Sequence, residues 1–194
     1  MKHRILKILI LALLPIMLSG CSNNYNNNQS MENRYDYNDN KLIASEGSYC
    51  NVVNSSIKPL INGKICGEIG ALYGVDEILA ANVDKNTESK LQIKLTANSG
   101  KGKLVLVKPD SEVEILAETV FGGEHNQFEG NISVKCIPGV NTIKVVGENY
   151  SGNFEIYQPN EVLFNNITDI KNNYKKSSKN GGNDMLGENF PFGN

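Results

Sequence analysis

Tryptophan is absent from the 194-residue sequence, and histidine occurs only twice. Catalytic zinc usually takes two or three imidazole ligands, so the scarcity of histidine argues against a zinc site built on histidine. Flat sugar faces are usually bound by aromatic rings, and a platform of that kind would depend here on Tyr73, Phe121, Phe128 or Tyr150. The residues themselves predict no metal ion and no cofactor.

An excess of charge of one sign is also lacking. Lysine and arginine number 19 against 21 aspartate and glutamate, which gives a net charge of −2. No basic patch favours nucleic acid as a partner, and the sequence has no glycine-rich phosphate loop and no internal repeat. The composition, rich in asparagine and lysine, favours a low-GC Gram-positive bacterium as the source.

The sequence has no apolar run of the roughly 20 residues that a stable membrane-spanning helix needs. Its longest apolar run, residues 8–18, follows a basic patch at residues 2–7. A basic start followed by a short apolar segment is the plan of a secretory signal peptide. We therefore expect residues 1–20 to be removed, which leaves 16 basic against 21 acidic residues and a net charge of −5.

The apolar run ends in Leu18-Ser19-Gly20-Cys21, which resembles the lipobox of bacterial lipoprotein precursors. The resemblance implies cleavage between Gly20 and Cys21 and a diacylglycerol thioether on the Cys21 sulfur. Two acyl chains hold a protein durably on a membrane, whereas one binds only marginally. We therefore expect Cys21 to anchor the protein to the extracytoplasmic face of a Gram-positive cell membrane, with no cofactor apart from this covalent lipid.

Three further cysteines remain, so at most one disulfide can form among them. Cys136 follows Ile132 and Val134 at intervals of two, which places all three on one face of a strand and predicts a buried thiol. Cys50 and Cys66 are then the candidates for a bridge, because an extracytoplasmic compartment permits oxidation.

Composition divides the mature chain into three parts. Residues 21–41 are almost all polar and rich in asparagine, and such a segment cannot bury enough surface to offset its ordering entropy. We predict a disordered tether there, a folded domain over residues 42–160, and a polar low-complexity tail over residues 161–194.

Short apolar segments separated by turns fill the folded part. Residues 91–95, LQIKL, alternate as a half-buried strand does, and residues 104–107, LVLV, are typical of a central strand. The segment 75–83 also fits helical spacing, but we favour a strand. The pattern predicts about eight strands and an all-β fold, a single antiparallel β-sandwich or jelly roll.

Four short segments carry turn chemistry between these strands. Lys108-Pro109-Asp110-Ser111 and Ile137-Pro138-Gly139-Val140 contain proline or glycine where β-turns require them. Asn98-Ser99-Gly100 and Tyr150-Ser151-Gly152 predict two further turns.

The pattern of strand and turn residues between Ile61 and Tyr157 resembles that of bacterial pre-peptidase C-terminal domains. The segments that carry the resemblance are INGKICGEIG, KLQIKLTANSGKGKLVLVKPDSEVEIL and IPGVNTIKVVGENYSGNFEIY. Those domains are small jelly-roll modules appended to secreted enzymes. The resemblance carries no catalytic motif, so it implies a fold and not an activity.

Residues 118–130 form the longest predicted connection and contain His125, the single histidine of the mature chain. Binding residues concentrate in loops on rigid scaffolds, so Glu124, His125, Asn126 and Gln127 are a candidate recognition loop, with Phe121 and Phe128 expected to bury their rings at its ends. A small hydrolase using His125 is an alternative, although no nucleophile motif accompanies that residue.

Asp84, Asn86 and Glu88 carry side-chain oxygens at intervals of two residues, as at the start of a calcium-binding loop. The segment lacks the glycine and the distant glutamate of an EF-hand. A plain turn is expected there, and calcium is not. The sequence therefore predicts a non-enzymatic binding or structural module at the cell surface, with a protein or glycan as its ligand. The alternatives are an envelope glycan or metal-ion binder and the hydrolase just described.

Overall fold

The computed structural model of the chain describes residues 36–167. The chain is all-β as predicted, with seven strands in the described part where about eight were expected. The elements are α1 (Asn40–Ala44), β1 (Tyr49–Ile57), β2 (Lys64–Val83), β3 (Thr87–Val107), β4 (Val113–Val120), β5 (Gln127–Cys136), β6 (Gly139–Tyr157) and β7 (Asn165–Asn166). The predicted signal peptide and Cys21 lie outside the described residues, as do residues 21–35 of the tether and residues 168–194 of the tail.

One antiparallel sheet contains all of these strands, in the order β1-β2-β6-β3-β4, with β5 on β3 and β7 on β2. Strands β2, β3 and β6 have 20, 21 and 19 residues. Each is long enough to run through one half of the folded sheet and then through the other. Half A consists of residues 64–69 of β2, 91–97 of β3, 152–157 of β6, and β5; half B consists of residues 74–83 of β2, 101–107 of β3, 139–147 of β6, and β4.

The three long strands bend between the two halves, where their pairing register shifts. Both predicted turns at residues 98–100 and 150–152 are wrong, because these residues continue β3 and β6 through the bend. Gly100 has a φ of 61°, and a Cβ there would lie 2.3 Å from a backbone oxygen of Asn149. Glycine therefore permits a bend inside a strand where the sequence pattern suggested a turn between strands.

The inward side chains of the two halves form one apolar core, so the folded sheet is a β-sandwich. Ile93 and Ile156 of half A belong to the same buried cluster as Leu106 and Ile143 of half B. Cys136 lies in this cluster as predicted, and burial raises the pKa of its thiol to about 11. Residues 75–83 are a strand, which confirms the prediction, and residues 108–111 connect β3 to β4 as the predicted turn.

The folded domain extends beyond both predicted boundaries. Tyr37 is buried, although it lies in the predicted tether, residues 21–41. The side chain of Asp39 caps α1 by accepting hydrogen bonds from the first turn. At the other end Phe164 is buried, and its backbone N–H donates to the Gln158 side chain at 2.8 Å. No helix within residues 36–167 is long and apolar enough to cross a membrane.

Residues 36–48, here called the strap, lie across the outer face of half B, here called face B. Below the strap, Ile43 packs with Val75, Val105 and Val146. Lys144 is buried in the same region, where its Nζ forms an ion pair of 3.2 Å with Glu77 and donates to the backbone oxygen of Ser45. The strap thus covers both the apolar and the charged side chains of face B.

Tyr37 holds the start of the strap against two lysines of β3. The Nζ atoms of Lys101 and Lys103 lie 4.5 and 4.2 Å from the centre of its ring, within the range of cation–π attraction. Lys103 is buried, and this burial lowers the pKa of its ammonium group. The aromatic ring compensates part of the hydration that the ammonium group loses.

Candidate functional site

The outer face of half A, here called face A, is open and polar. Five strands contribute to it in the order β1-β2-β6-β3-β5. Cross-strand pairing aligns Glu68, Asn153, Thr96 and Gln127 in one row across β2, β6, β3 and β5. Outward side chains follow the strand period of two, because every intervening residue is in the core. Face A is therefore a broad surface of hydrogen-bonding side chains.

A shallow groove of about 390 Å³ lies on face A. Its lining comes from β1, β2, β3 and β6 and from the residue that follows β1. The lining residues are Ser56, Lys58, Cys66, Gly67, Glu68, Lys94, Thr96, Asn153, Phe154 and Glu155. Because these residues come from distant parts of the chain, the sheet register is what brings them together.

Ion pairs balance the charge of the groove. Glu155 forms an ion pair of 2.9 Å with Lys64, and this hydrogen bond raises the pKa of the lysine. Lys94 pairs with Glu129 at 2.8 Å, which raises the pKa of Lys94 in the same way. Both pairs are substantially exposed to solvent, so they orient side chains more than they stabilise the fold.

The predicted bridge between Cys50 and Cys66 is wrong. Cys66 is a free thiol whose Sγ lies 3.9 Å from Glu155 Oε2 in the groove. The register pairs Cys50 with Gly74 on β2. Gly74 is eight residues beyond Cys66 along the same strand, which is about 26 Å at the rise of an extended strand. The two Cα atoms of a disulfide lie within about 7 Å of each other, so this pairing is geometrically excluded.

The candidate recognition loop is shorter than predicted. β4 continues to Val120 and β5 begins at Gln127, which leaves residues 121–126 as the connection. Glu124, His125, Asn126 and Gln127 are all exposed. The backbone N–H of Val120 donates to the His125 carbonyl at 3.0 Å, which closes the loop. Gln127 pairs with Thr96, so the end of the loop adjoins the groove.

The expectation that both loop phenylalanines bury their rings is wrong for Phe121, which is exposed. Phe128 is partly buried against the core. Of the other two aromatic candidates, Tyr150 is fully buried and Tyr73 packs beside the strap. None of these four rings lines the groove, and Phe154, which does line it, is only 2% exposed because it packs in the core. A ligand in the groove would therefore be held without an aromatic platform.

The acidic candidates do not converge. Asp84 and Asn86 lie in the turn between β2 and β3, and Glu88 in β3 accepts a hydrogen bond from Ser133. Within residues 36–167 no group of three or more histidine, cysteine, aspartate or glutamate side chains is placed to hold a metal ion.

Sequence reasoning missed both the groove and the strap. The outward residues of β2, β3 and β6 are visible as the polar positions of alternating segments. The sequence of the strap contains one signal of structure, a helix N-cap residue followed by an apolar segment. Asp39 is that cap and residues 42–44, LIA, are that segment, but the polar composition around them concealed it.

No protein-family model matches the chain, and no curated protein matches it. It is similar to the solved pre-peptidase C-terminal domain of a collagenase from Bacillus anthracis, with 22% identity and a TM-score of 0.30 over 50% of this chain and 88% of that one. It is also similar to CBM35 from Paenibacillus barcinonensis, with 16% identity and a TM-score of 0.30 over 60% of this chain and 100% of that one. A third structure, titled "CBM4 structure and function", shows 8% identity and a TM-score of 0.31 over 57% and 75% of the two chains. Similarity at this level carries no argument about function.

Proposed function

We propose that this chain is a non-enzymatic, lipid-anchored β-sandwich module that binds a neutral glycan of the cell envelope on face A. The groove on face A is the observation that supports the proposal. It is an open surface, set on a rigid sheet, where polar side chains from four segments of the chain converge. Polar groups at precise positions on a rigid scaffold are what orient a ligand in a binding site.

The charge of the groove favours a neutral ligand. Lys58 and Lys94 oppose Glu68 and Glu155 in the lining, so positive and negative groups are equal in number. Such a balance gives no net field to attract an anion or a cation, in contrast to sites that bind phosphate or nucleic acid.

The remaining lining side chains suit a ligand rich in hydroxyl groups. Ser56 and Thr96 both donate and accept hydrogen bonds, and the Asn153 amide carries donors and acceptors on one group. The aromatic residue of the lining, Phe154, packs its ring in the core, so affinity depends on hydrogen bonds that compete with water. We therefore expect weak binding, with a Kd of about 1 mM. The loop residues Glu124–Gln127 then form one wall of the site, beside Thr96.

Binding can be tested by titrating isotope-labelled protein with a soluble, uncharged N-acetylglucosamine oligosaccharide and following backbone amide signals by NMR. We expect shifts at residues 94–96 and 153–155, and their loss in Asn153→Ala. Asn131→Ala is the matched control, because Asn131 is an asparagine on face A, in β5, that does not line the groove. Equal shifts in both variants, or shifts confined to face B, would contradict the proposal.

Anchoring can be tested separately by mass spectrometry of the mature protein and by its flotation with membranes. We expect a diacylglycerol mass on Cys21 and release of the Cys21→Ala variant from the membrane fraction. Absence of the diacylglycerol mass from Cys21, or unchanged flotation of Cys21→Ala, would show that Cys21 is not the anchor.

A further inference from the structure

We propose that the β4 edge of face B lies against the same bilayer that holds the anchor, with Ile115, Val120 and Phe121 in contact with lipid. These three residues are called the contact patch below. The inference rests on the anchoring proposed above and adds to it an orientation of the domain. It assigns a lipid surface as the partner of three side chains that do not line the groove.

The contact patch is apolar and exposed. Ile115, Val120 and Phe121 have 54%, 43% and 58% of their surface accessible, whereas most large apolar side chains of the described residues are in the core. Cross-strand pairing of Ile115 with Val105 and of Val120 with Lys101 puts both side chains on face B. Phe121 follows directly, and its backbone N–H donates to the Gly100 carbonyl at 2.9 Å, which fixes the start of the loop.

The chain enters the domain beside this patch. Tyr37, next to the first described residue, lies 4.5 Å from the Nζ of Lys101, and Lys101 pairs across the sheet with Val120. Fourteen residues separate Cys21 from Asp36. A random coil of that length would average about 20 Å from end to end, and two packed sheets lie about 10 Å apart before their outer side chains are counted. The anchor therefore favours contact through face B over contact through face A.

A small patch is sufficient because the anchor has already brought the domain to the membrane. A short linker gives an effective concentration of about 1 mM or more, so a contact too weak to recruit a free protein becomes populated. Phenylalanine and branched aliphatic residues are side chains that interfacial segments insert at the boundary of headgroups and acyl chains. Glu118, between Ile115 and Val120, faces the ammonium group of Lys103, so contact requires no anionic lipid.

The absence of tryptophan makes the contact directly measurable. Phe121→Trp places a single fluorophore in the patch, and Ile61→Trp places one on an equally exposed side chain in the β1–β2 connection of half A. The mature chain would be held on zwitterionic vesicles containing brominated lipid in two ways, by its native lipid and by an N-terminal His tag on nickel-chelating lipid. We expect bromine quenching of Phe121→Trp to exceed that of Ile61→Trp about threefold, because interfacial side chains sit about 5–10 Å deep.

Adding Ile115→Asp and Val120→Asp to Phe121→Trp should abolish the excess quenching, and an unchanged thermal transition would show that this variant is folded. Equal quenching at residues 61 and 121 on anchored protein would overturn the orientation while leaving the anchor intact. Concentration-dependent dimerisation through the patch, without quenching, would also overturn it. If Cys21 carries no lipid, the proposed anchoring fails, and the His-tagged protein still decides whether the patch contacts the bilayer.

Discussion

Face A and face B are built from the same three long strands, but the lysines on the two faces differ in their exposure to solvent. On face A, the side chains of Lys64 and Lys94 are 47% and 54% exposed, and each pairs with a glutamate in solvent. On face B, Lys103 and Lys144 are almost fully buried below the strap. A lysine at an outward strand position therefore has one of two environments, depending on whether another segment covers the face.

Burial is tolerated on face B because the strap supplies polar partners as well as apolar ones. Its backbone carbonyl at Ser45 accepts from Lys144, and its backbone N–H at Gly47 donates to Glu77 at 2.9 Å. The Ser48 hydroxyl donates to Asp76 at 2.6 Å. A buried ion pair is tolerated when further hydrogen bonds satisfy its remaining donors and acceptors. The strap is thus part of the domain and not an accessory to it.

The largest effect is expected when the buried lysine loses its charge. Lys144→Met should lower the free energy of unfolding by about 3–5 kcal/mol, because it leaves Glu77 buried without its cation. The matched change on face A, Lys94→Met, should cost less than about 1 kcal/mol. Urea denaturation of both variants measures the difference. Adding Glu77→Gln to Lys144→Met should recover part of the loss; equal costs on the two faces would show that the strap does not isolate its ion pair from solvent.

A smaller effect is expected from the apolar contact of the strap. Ile43→Ala should lower the free energy of unfolding by about 2–5 kcal/mol, as for other buried isoleucines. Ile61→Ala, at an exposed position, should change it by less than about 0.5 kcal/mol. Thermal unfolding of the two variants makes this comparison. If both are neutral, the strap is not a structural part of the domain.

The smallest effect concerns pH and the buried thiol of Cys136. Below pH 9 the Cys136 thiol is protonated in both the folded and the unfolded chain. Between pH 9 and about 11 only the unfolded chain releases this proton, so folding stability falls as pH rises through that interval. Cys136→Ala should show a shallower alkaline loss of stability than the wild type, measured by urea denaturation at pH 8.5 and 10.5. Val134→Ala, which removes a buried apolar side chain of the same strand and no ionisable group, serves as the control and should keep the wild-type slope; identical slopes for all three proteins would contradict the prediction.

Periodicity was sufficient to predict the strands but not their extent. The alternation at residues 91–95 and the apolar run at 104–107 were both assigned as strands, and the structure joins them into β3. The Asn98-Ser99-Gly100 segment between them has the chemistry of a turn. Whether a glycine ends a strand or bends it depends on the strand that pairs beside it, and in β3 that partner is β6, about fifty residues away. Local sequence does not carry this information.

The candidate site was beyond sequence reasoning for the same reason. Thr96 and Asn153 lie side by side in the groove because β3 and β6 pair in one register, and a shift of one strand by one residue would turn one of these two side chains into the core. Likewise, Lys144 was indistinguishable from the lysines of face A, since nothing in its own segment indicates the strap. The prediction of a Cys50–Cys66 bridge was wrong because it rested on an oxidising compartment and on the number of cysteines, and neither gives the distance between two thiols.

The position of β6 at the centre of the sheet also leads us to expect that the domain folds late in its synthesis. It is the last of the long strands along the chain, and it pairs with both β2 and β3. The pair of Lys64 with Tyr157 spans 93 residues, so most contacts are distant in sequence and folding should be slow. Until β6 is synthesised, the chain has only marginally stable pairings around β2 and β3. We expect a chain with this topology to stay largely unfolded until its synthesis is nearly complete, which is the state that the proposed export through a membrane requires.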